Sequence, residues 1–231
     1  MIFAANFKMN HTRVSTVNYV HDLRDRIVEA DLKHEVYVFP PATALMGSHR
    51  PVTIGAQDAY PQMQGAYTGE IGMEQLGEFA INTLLIGHSE RRMILGETQE
   101  RVAEKYAFFC ERNYEIIYCI GEPIEVREEG EGAVEAYLLG QLEGIDIHYD
   151  RMILAYEPIW AIGTGRTASV EEIASTHAML RRHIEAPILY GGSVKPANIQ
   201  EIAAVENVDG VLVGGASLEV DSFFEMMAKV I

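Results

Sequence analysis

Eight short runs of aliphatic and β-branched residues recur along the chain, at 2–6, 36–39, 52–56, 83–87, 116–120, 152–156, 187–190 and 211–214. Each is apolar at consecutive positions rather than alternate ones, the pattern of strands buried on both faces in a parallel sheet covered by helices. Between most runs the apolar positions return at helical spacing. Val17, Val20, Leu23, Ile27 and Val28 fall on one predicted helical face, as do Val102, Tyr106 and Phe109. Ile173, His177, Leu180 and Ile184 repeat the pattern, and so do Phe223, Met227 and Val230. The connections after the second and third runs are less clearly helical. Eight strand-then-helix units in 231 residues give roughly 29 residues each, close to the ~250 residues usual for a closed (β/α)8 barrel. No Pro-, Ser- or Gly-rich linker interrupts the series. The predicted fold is therefore α/β, one (β/α)8 barrel forming a single catalytic domain over residues 1–231. An open doubly wound sheet is disfavoured, because no GxGxxG follows the first run and the turn there, FKMN, holds no glycine. In such a barrel, function sits at the C-terminal ends of the strands.

Charge narrows the function classes. The formal net charge is −16, which argues against a general nucleic-acid or membrane-surface binder, since either needs a basic face. An anionic substrate would be repelled on average, so an anion site here must be built from local dipoles and a few chosen cations. The two cysteines, Cys110 and Cys119, have no zinc-like spacing with other Cys or His, and two cysteines make no disulfide framework. The first residues, MIFAANFKMN, lack the basic and apolar regions of a signal peptide. No run approaches the ~20 apolar residues of a membrane span. The chain reads as soluble and cytoplasmic.

Candidate chemistry collects at the strand ends. The sixth run ends in Glu157, and Pro158 stops the strand there because it has no N–H and a fixed φ. The apolar segment Ile159, Trp160, Ala161, Ile162 follows, closed by Gly163-Thr164-Gly165. This reads as a base beneath a hinged lid, or as a packed surface loop beside a solvated glutamate. The first run ends in Asn6 and Lys8, two residues apart and so on one face of an extended chain. Lys8 is a candidate buried cation or an ordinary surface lysine. The fourth ends in Gly87-His88-Ser89-Glu90-Arg91-Arg92, where Ser89 and Glu90 suit a helix start. A helix N-terminus aimed at His88 would keep it a neutral N–H donor, and Glu90 would suit Lys8 as a partner. Taken singly, His88 reads as well as a core histidine, and Glu90 as part of a solvated first turn. Cys119 reads as a small core residue, not a nucleophile. Tyr190-Gly191-Gly192-Ser193 and Val213-Gly214-Gly215-Ala216 place two Gly-Gly turns after the last two strands, with a short helix predicted to begin at Ala216. Backbone N–H groups there can hold an anion without net positive charge, where phosphate sites of such barrels commonly lie. Otherwise they are simply two tight turns. One acid/base Glu, one neutral His, one Lys and an anion cradle suggest proton abstraction beside the carbonyl of a small phosphorylated sugar.

These strings, taken together, resemble the triosephosphate isomerase family. NFKMN (residues 6–10), GAYTGE (65–70), GHSERR (87–92), CIGE (119–122), AYEPIWAIGTG (155–165), YGGSV (190–194) and DGVLVGGASL (209–218) run in family order from one end of the chain to the other. The resemblance implies a TIM barrel that interconverts dihydroxyacetone phosphate and D-glyceraldehyde 3-phosphate in glycolysis and gluconeogenesis, with no metal or organic cofactor. It implies that Glu157 is the base, that neutral His88 stabilises the enediolate, and that Lys8 and Asn6 add a charge and a polar contact. Glu90 becomes a supporting or proton-shuttling carboxylate, while Gly163, Ser193, Gly214 and Gly215 offer N–H groups to phosphate. Residues 158–165 become a lid latched by Tyr190 and Ser193. It further implies a homodimer through residues 57–72, QDAYPQMQGAYTGEIG, docking with Thr68 at the tip; a loop that long is uncommon without a task. Phe7 stands where the family usually has Trp, Asp58 and Gly72 replace Asn and Ser, and the chain is short around 144–150 and 183–186. Two other readings are a barrel glycosidase using Glu90 and Glu157, disfavoured by the Gly turns and small lid, and a non-catalytic phosphosugar binder, disfavoured by the intact Lys8, His88 and Glu157.

Overall fold

The computed structural model describes residues 1–162 and 167–230. Its parallel strands are β1 (Ile2–Asn6), β2 (Glu35–Phe39), β3 (Val52–Ile54), β4 (Thr83–Ile86), β5 (Glu115–Ile120), β6 (Met152–Tyr156), β7 (Ile188–Tyr190) and β8 (Gly210–Val213). They bond in the order β3-β2-β1-β8-β7-β6-β5-β4. A parallel bridge between Ala56 and Leu84 joins the two ends of that series. There the Ala56 N–H donates to the Thr83 carbonyl and the Leu85 N–H to the Ala56 carbonyl, both at 2.9 Å. The ring is the predicted TIM barrel.

Helices α1 (Arg13–Glu29), α2 (Met73–Gly77), α3 (Ser89–Met93), α4 (Gln99–Cys110), α5 (Ile124–Glu128), α6 (Glu131–Gly140), α7 (Val170–Arg181) and α8 (Ile199–Ala203) lie between the strands, and α9 (Val220–Ala228) follows β8. The weakly patterned connection after β2 holds one 3-10 turn, Ala42–Ala44, and the one after β3 holds only α2. On α1 the buried residues are Thr16, Tyr19, Val20, Leu23 and Ile27, while Val28 is exposed. Val28 follows Ile27 by one position, a rotation of about 100° out of the buried stripe, and Val17 is only half-buried, while Thr16 and Tyr19 are buried.

Because side chains alternate across a strand, each strand feeds two cores. Ile2, Ala4, Tyr37, Phe39, Leu85, Ile117, Cys119, Ile153, Ala155, Leu189 and Leu212 form one cluster inside the ring. The alternate residues, such as Phe3, Ala5, Ile116, Leu154 and Val211, pack outward with the helices. Two residues beyond the inner cluster come Asn6, Gly121, Glu157, Gly191 and Gly214, so the period of two itself delivers a carboxylate and three glycines to the mouth.

The 57–72 loop is tied down at its root. Lys105 Nζ donates to both Asp58 carboxylate oxygens at 2.7 and 2.8 Å, and Arg91 lies 3.1 Å from Asp58 and 2.8 Å from Glu97. Glu97 also meets Lys105, so two cations and two carboxylates balance. Burial outweighs the cations at Asp58 and pushes its carboxyl up to about 6. No helix among the described residues is long and apolar enough to cross a membrane.

His177 on α7 makes stability pH-dependent. It is fully buried, its Nδ1 bonds the Asn207 carbonyl at 2.9 Å, and burial lowers its pKa to about 4 despite that bond and Asp209. From pH ~6.5 down to ~4 the unfolded chain takes a proton that the folded chain refuses, so up to about 3 kcal/mol is lost over that window and none further below it. Urea unfolding at pH 7 and pH 4.5 is expected to show this loss, and His177→Gln to reduce it. An equal acid loss in the variant would rule the histidine out.

Candidate active site

A cavity of about 570 Å³ opens at the C-terminal ends of the strands, and Asn6, Lys8, His88, Glu157, Ser193 and Gly214 are among its lining residues. Gly215 lines it too. Gly163 lies outside the described residues.

Glu157 follows the last residue of β6, and its N–H donates to the Ile120 carbonyl at 2.7 Å. It is 3% exposed. Its position depends on neighbouring glycines. A Cβ on Gly121 would sit 1.8 Å from the Glu157 carbonyl oxygen, and one on Gly191 2.7 Å from Glu157 Cγ. Both lie below any tolerated contact, so these strand ends accept glycine for space rather than for conformation.

His88 caps α3. Its Nδ1 accepts the Glu90 N–H at 3.2 Å, which leaves Nε2 to carry the proton of the neutral ring. Nε2 faces Glu157 Oε1 at 3.1 Å, and the Ser89 N–H donates to Glu157 Oε2 at 3.4 Å. Lys8 Nζ pairs with Glu90 Oε1 at 2.6 Å. Lys8 departs from the expected geometry. β1 ends at Asn6, and Lys8 sits in a turn with φ of 51°, not on an extended chain. Its N–H donates to Asn6 Oδ1 at 3.0 Å, and Gln57 Nε2 holds its carbonyl at 2.8 Å. The turn brings both side chains to the same cavity by another route.

The buried pair shifts in both members. Burial alone would raise the Glu157 carboxyl, but the His88 ring, Lys8 and the Ser89 N–H outweigh it and hold it below the usual glutamate range. Burial alone would lower His88, but the Glu157 carboxylate raises it above the ordinary histidine value. The upward shift of His88 differs from the neutral donor expected from sequence, and its cause is the carboxylate resting against the ring. Lys8 also lowers His88, and Glu90 raises it.

A second network anchors the segment after Glu157. Glu122 is fully buried. It accepts from Tyr156 Oη at 3.0 Å, Trp160 Nε1 at 2.9 Å and Arg127 Nη2 at 3.0 Å, and its own carbonyl takes the Ile159 N–H at 3.1 Å. The 3-10 turn Ile159–Ala161 is thus pinned to β5 and α5. Sequence reading quoted Glu122 only within a string and missed Arg127; their partners are up to 49 residues away, beyond any local signal. Tyr190 is buried, and a Cβ on Gly192 would lie 2.2 Å from its hydroxyl. Burial pushes the Cys119 thiol well up, with Glu157 adding to it, which keeps it protonated. The 3-10 turn after β8 begins at Gly215 rather than at Ala216.

The family model described as "Triosephosphate isomerase" matches residues 1–230. The chain is 63% identical over 227 residues to the triosephosphate isomerase of Sulfurovum sp. (strain NBC37-1), covering 98% of this chain and 99% of that one. It is 53% identical over 232 residues to that of Wolinella succinogenes, covering both in full, and 48% identical over 226 residues to that of Sulfurimonas denitrificans, covering 98% and 94%.

Proposed function

The chain belongs to the triosephosphate isomerase family, and from that premise we propose that Glu157 moves a carbon-bound proton between the two carbons that distinguish dihydroxyacetone phosphate from D-glyceraldehyde 3-phosphate. The chain is an isomerase; the residue roles are the proposal. What supports them is the meeting of Glu157, His88 and Lys8 at one cavity that the glycine turns 191–193 and 214–215 also line.

The substrate phosphate lies against the backbone of Ser193, Gly214 and Gly215, with Gly163 joining from the lid. That end places the carbonyl toward His88, Asn6 and Lys8. Glu157 leaves His88 and the Ser89 N–H, takes the proton, and returns it to the neighbouring carbon, while the hydroxyl proton passes from one of the two oxygens to the other through His88 Nε2. His88 Nε2–H donates to the oxygen that gains enediolate charge, and Lys8 supplies a fixed positive charge there; preorganised donors of this kind give the largest share of most rate enhancements. Glu90 holds Lys8 and faces His88 Nδ1 at 3.7 Å. The lid is the segment 158–165, of which 163–165 lie outside the described residues, and Tyr190 and Ser193 are its latch. Closure excludes water and raises the basicity of Glu157. The reaction serves glycolysis and gluconeogenesis in the cytoplasm, on one barrel domain. The test is a coupled assay with chelator present: the purified chain is expected to convert glyceraldehyde 3-phosphate, and no turnover would reject the proposal.

Assembly is a homodimer through the 57–72 loop. Met9, Met93, Ile94 and Leu95 are large, exposed apolar side chains on the loops and helix that hold Lys8 and His88, a surface that a second copy would cover. Light scattering at micromolar protein is expected to give twice the chain mass; a stable, active monomer would refute the dimer.

A further inference from the structure

The anion-binding wall of the cavity is held from the opposite end of the chain. The Gly214 carbonyl accepts the Ser217 N–H at 2.8 Å and the Ser217 hydroxyl at 2.7 Å. The same hydroxyl reaches the Val213 carbonyl at 2.9 Å. In a planar trans peptide the C=O and the following N–H point in opposite directions. A Gly214 carbonyl turned into the protein therefore leaves the Gly215 N–H toward the cavity. The next outward carbonyls are met by α1 and the loop before it. Tyr19 Oη donates to the Ser217 carbonyl at 2.7 Å, and His11 Nε2 donates to the Leu218 carbonyl at 3.0 Å.

Neither His11 nor Tyr19 lines the cavity. Tyr19 is buried, and burial, then the charge of Glu219, pushes its phenol far above the ordinary range, so it stays a donor. His11 Nδ1 lies 3.1 Å from Ser15 Oγ, which orients the ring. Its ring centroid is 4.4 Å from that of Phe7, and Phe7 meets Tyr19 edge-on at 4.8 Å. His11 belongs to the same loop as Lys8, and both have left-handed φ, 69° and 51°. The cation from that loop reaches the glycine turn directly: a Cβ on Gly214 would sit 3.3 Å from Lys8 Cε. One three-ring cluster thus bonds the turn that cradles the anion and shares a loop with the lysine beside it.

We infer that His11 and Tyr19 form a brace that holds the Gly215–Ser217 turn against the Lys8 loop, so that the turn's N–H groups meet the substrate phosphate while the ammonium group faces the carbonyl end. Both are positioning residues, since they touch the turn and not the substrate. The inference rests on the reading of this cavity as a phosphosugar site. Without the brace the turn keeps its own hydrogen bonds but can shift away from the phosphate, while Lys8 stays held by Asn6, Gln57 and Glu90. Binding of the phosphate weakens, and the proton-transfer geometry at Glu157, on the far side of the cavity, is little altered.

The test measures inorganic phosphate affinity by calorimetry, alongside KM and kcat, for Tyr19→Phe, His11→Ala and His11→Gln. Tyr19→Phe and His11→Ala are each expected to weaken phosphate binding and raise KM by about 2–10-fold, the worth of one neutral hydrogen bond, with kcat little changed. His11→Gln, whose amide can reach the same carbonyl, is expected to recover most of the loss. Phosphate affinity unchanged in both Tyr19→Phe and His11→Ala, or His11→Gln as weak as His11→Ala, would overturn the brace. The two readings fail separately. A wild-type chain without isomerase turnover whose phosphate binding still falls in these variants upholds the brace and rejects the activity, and an active wild type with indifferent variants does the reverse.

Discussion

Glu157→Gln is expected to lower kcat about 10²–10⁴-fold with the fold retained, the usual worth of a positioned general base. The amide has the shape of the carboxylate, so the space between Gly121 and Gly191 stays filled. It can still bond the His88 ring and the Ser89 N–H, so no buried group is left without a partner. What it cannot do is take a proton from carbon. KM is expected to move far less than kcat, because the proposed phosphate contacts are backbone N–H groups of Ser193, Gly214 and Gly215, which the substitution leaves in place. The measurement is steady-state kinetics beside circular dichroism. A variant that turns over like the parent would remove Glu157 from its role.

His88→Gln is expected to cost about 10²–10³-fold in kcat, the range seen when one donor to a developing oxyanion is removed. A glutamine amide can donate, but it lacks the Glu90 N–H on Nδ1 that fixes the imidazole. The variant also carries a second signature. Burial raises the Glu157 carboxyl and His88 is the foremost group opposing it. With the imidazole gone, burial prevails and the Glu157 pKa rises. Glu157 works only when ionised, so the acid limb of the kcat/KM profile is expected to move to higher pH. An unshifted limb would mean that His88 does not set the state of the free carboxylate.

Much of the architecture was legible because one physical rule repeats. A parallel strand buried on both faces reads as a continuous apolar run, and the runs matched β1 to β8 within a residue or two. The same alternation placed Asn6 and Glu157 at the mouth. Lys8 was less legible: its turn depends on Gln57 and Asn6 holding a left-handed backbone, and Gln57 is far away in sequence. The Glu122–Arg127–Trp160 network was hidden for the same reason, since it joins the ends of two neighbouring strands, β5 and β6, that are far apart in sequence. The net direction of the His88 shift was also unreadable. It turns on a 3.1 Å contact with a residue 69 positions on, and no spacing rule expresses that contact. Val28 shows the limit from the other side: an apolar residue at nearly the right helical phase lies in solvent, because the sheet accepts only a narrow stripe of α1.

The most direct test of the central claim is the reaction run in deuterium oxide with purified chain, chelator and glyceraldehyde 3-phosphate, followed by NMR. Proton transfer through Glu157 exposes the carried proton to solvent, so carbon-bound deuterium is expected at carbon 1 of part of the dihydroxyacetone phosphate formed, with both label and turnover falling together in Glu157→Gln. Product formed without any solvent deuterium, or formed as fast by the glutamine variant, would contradict the account.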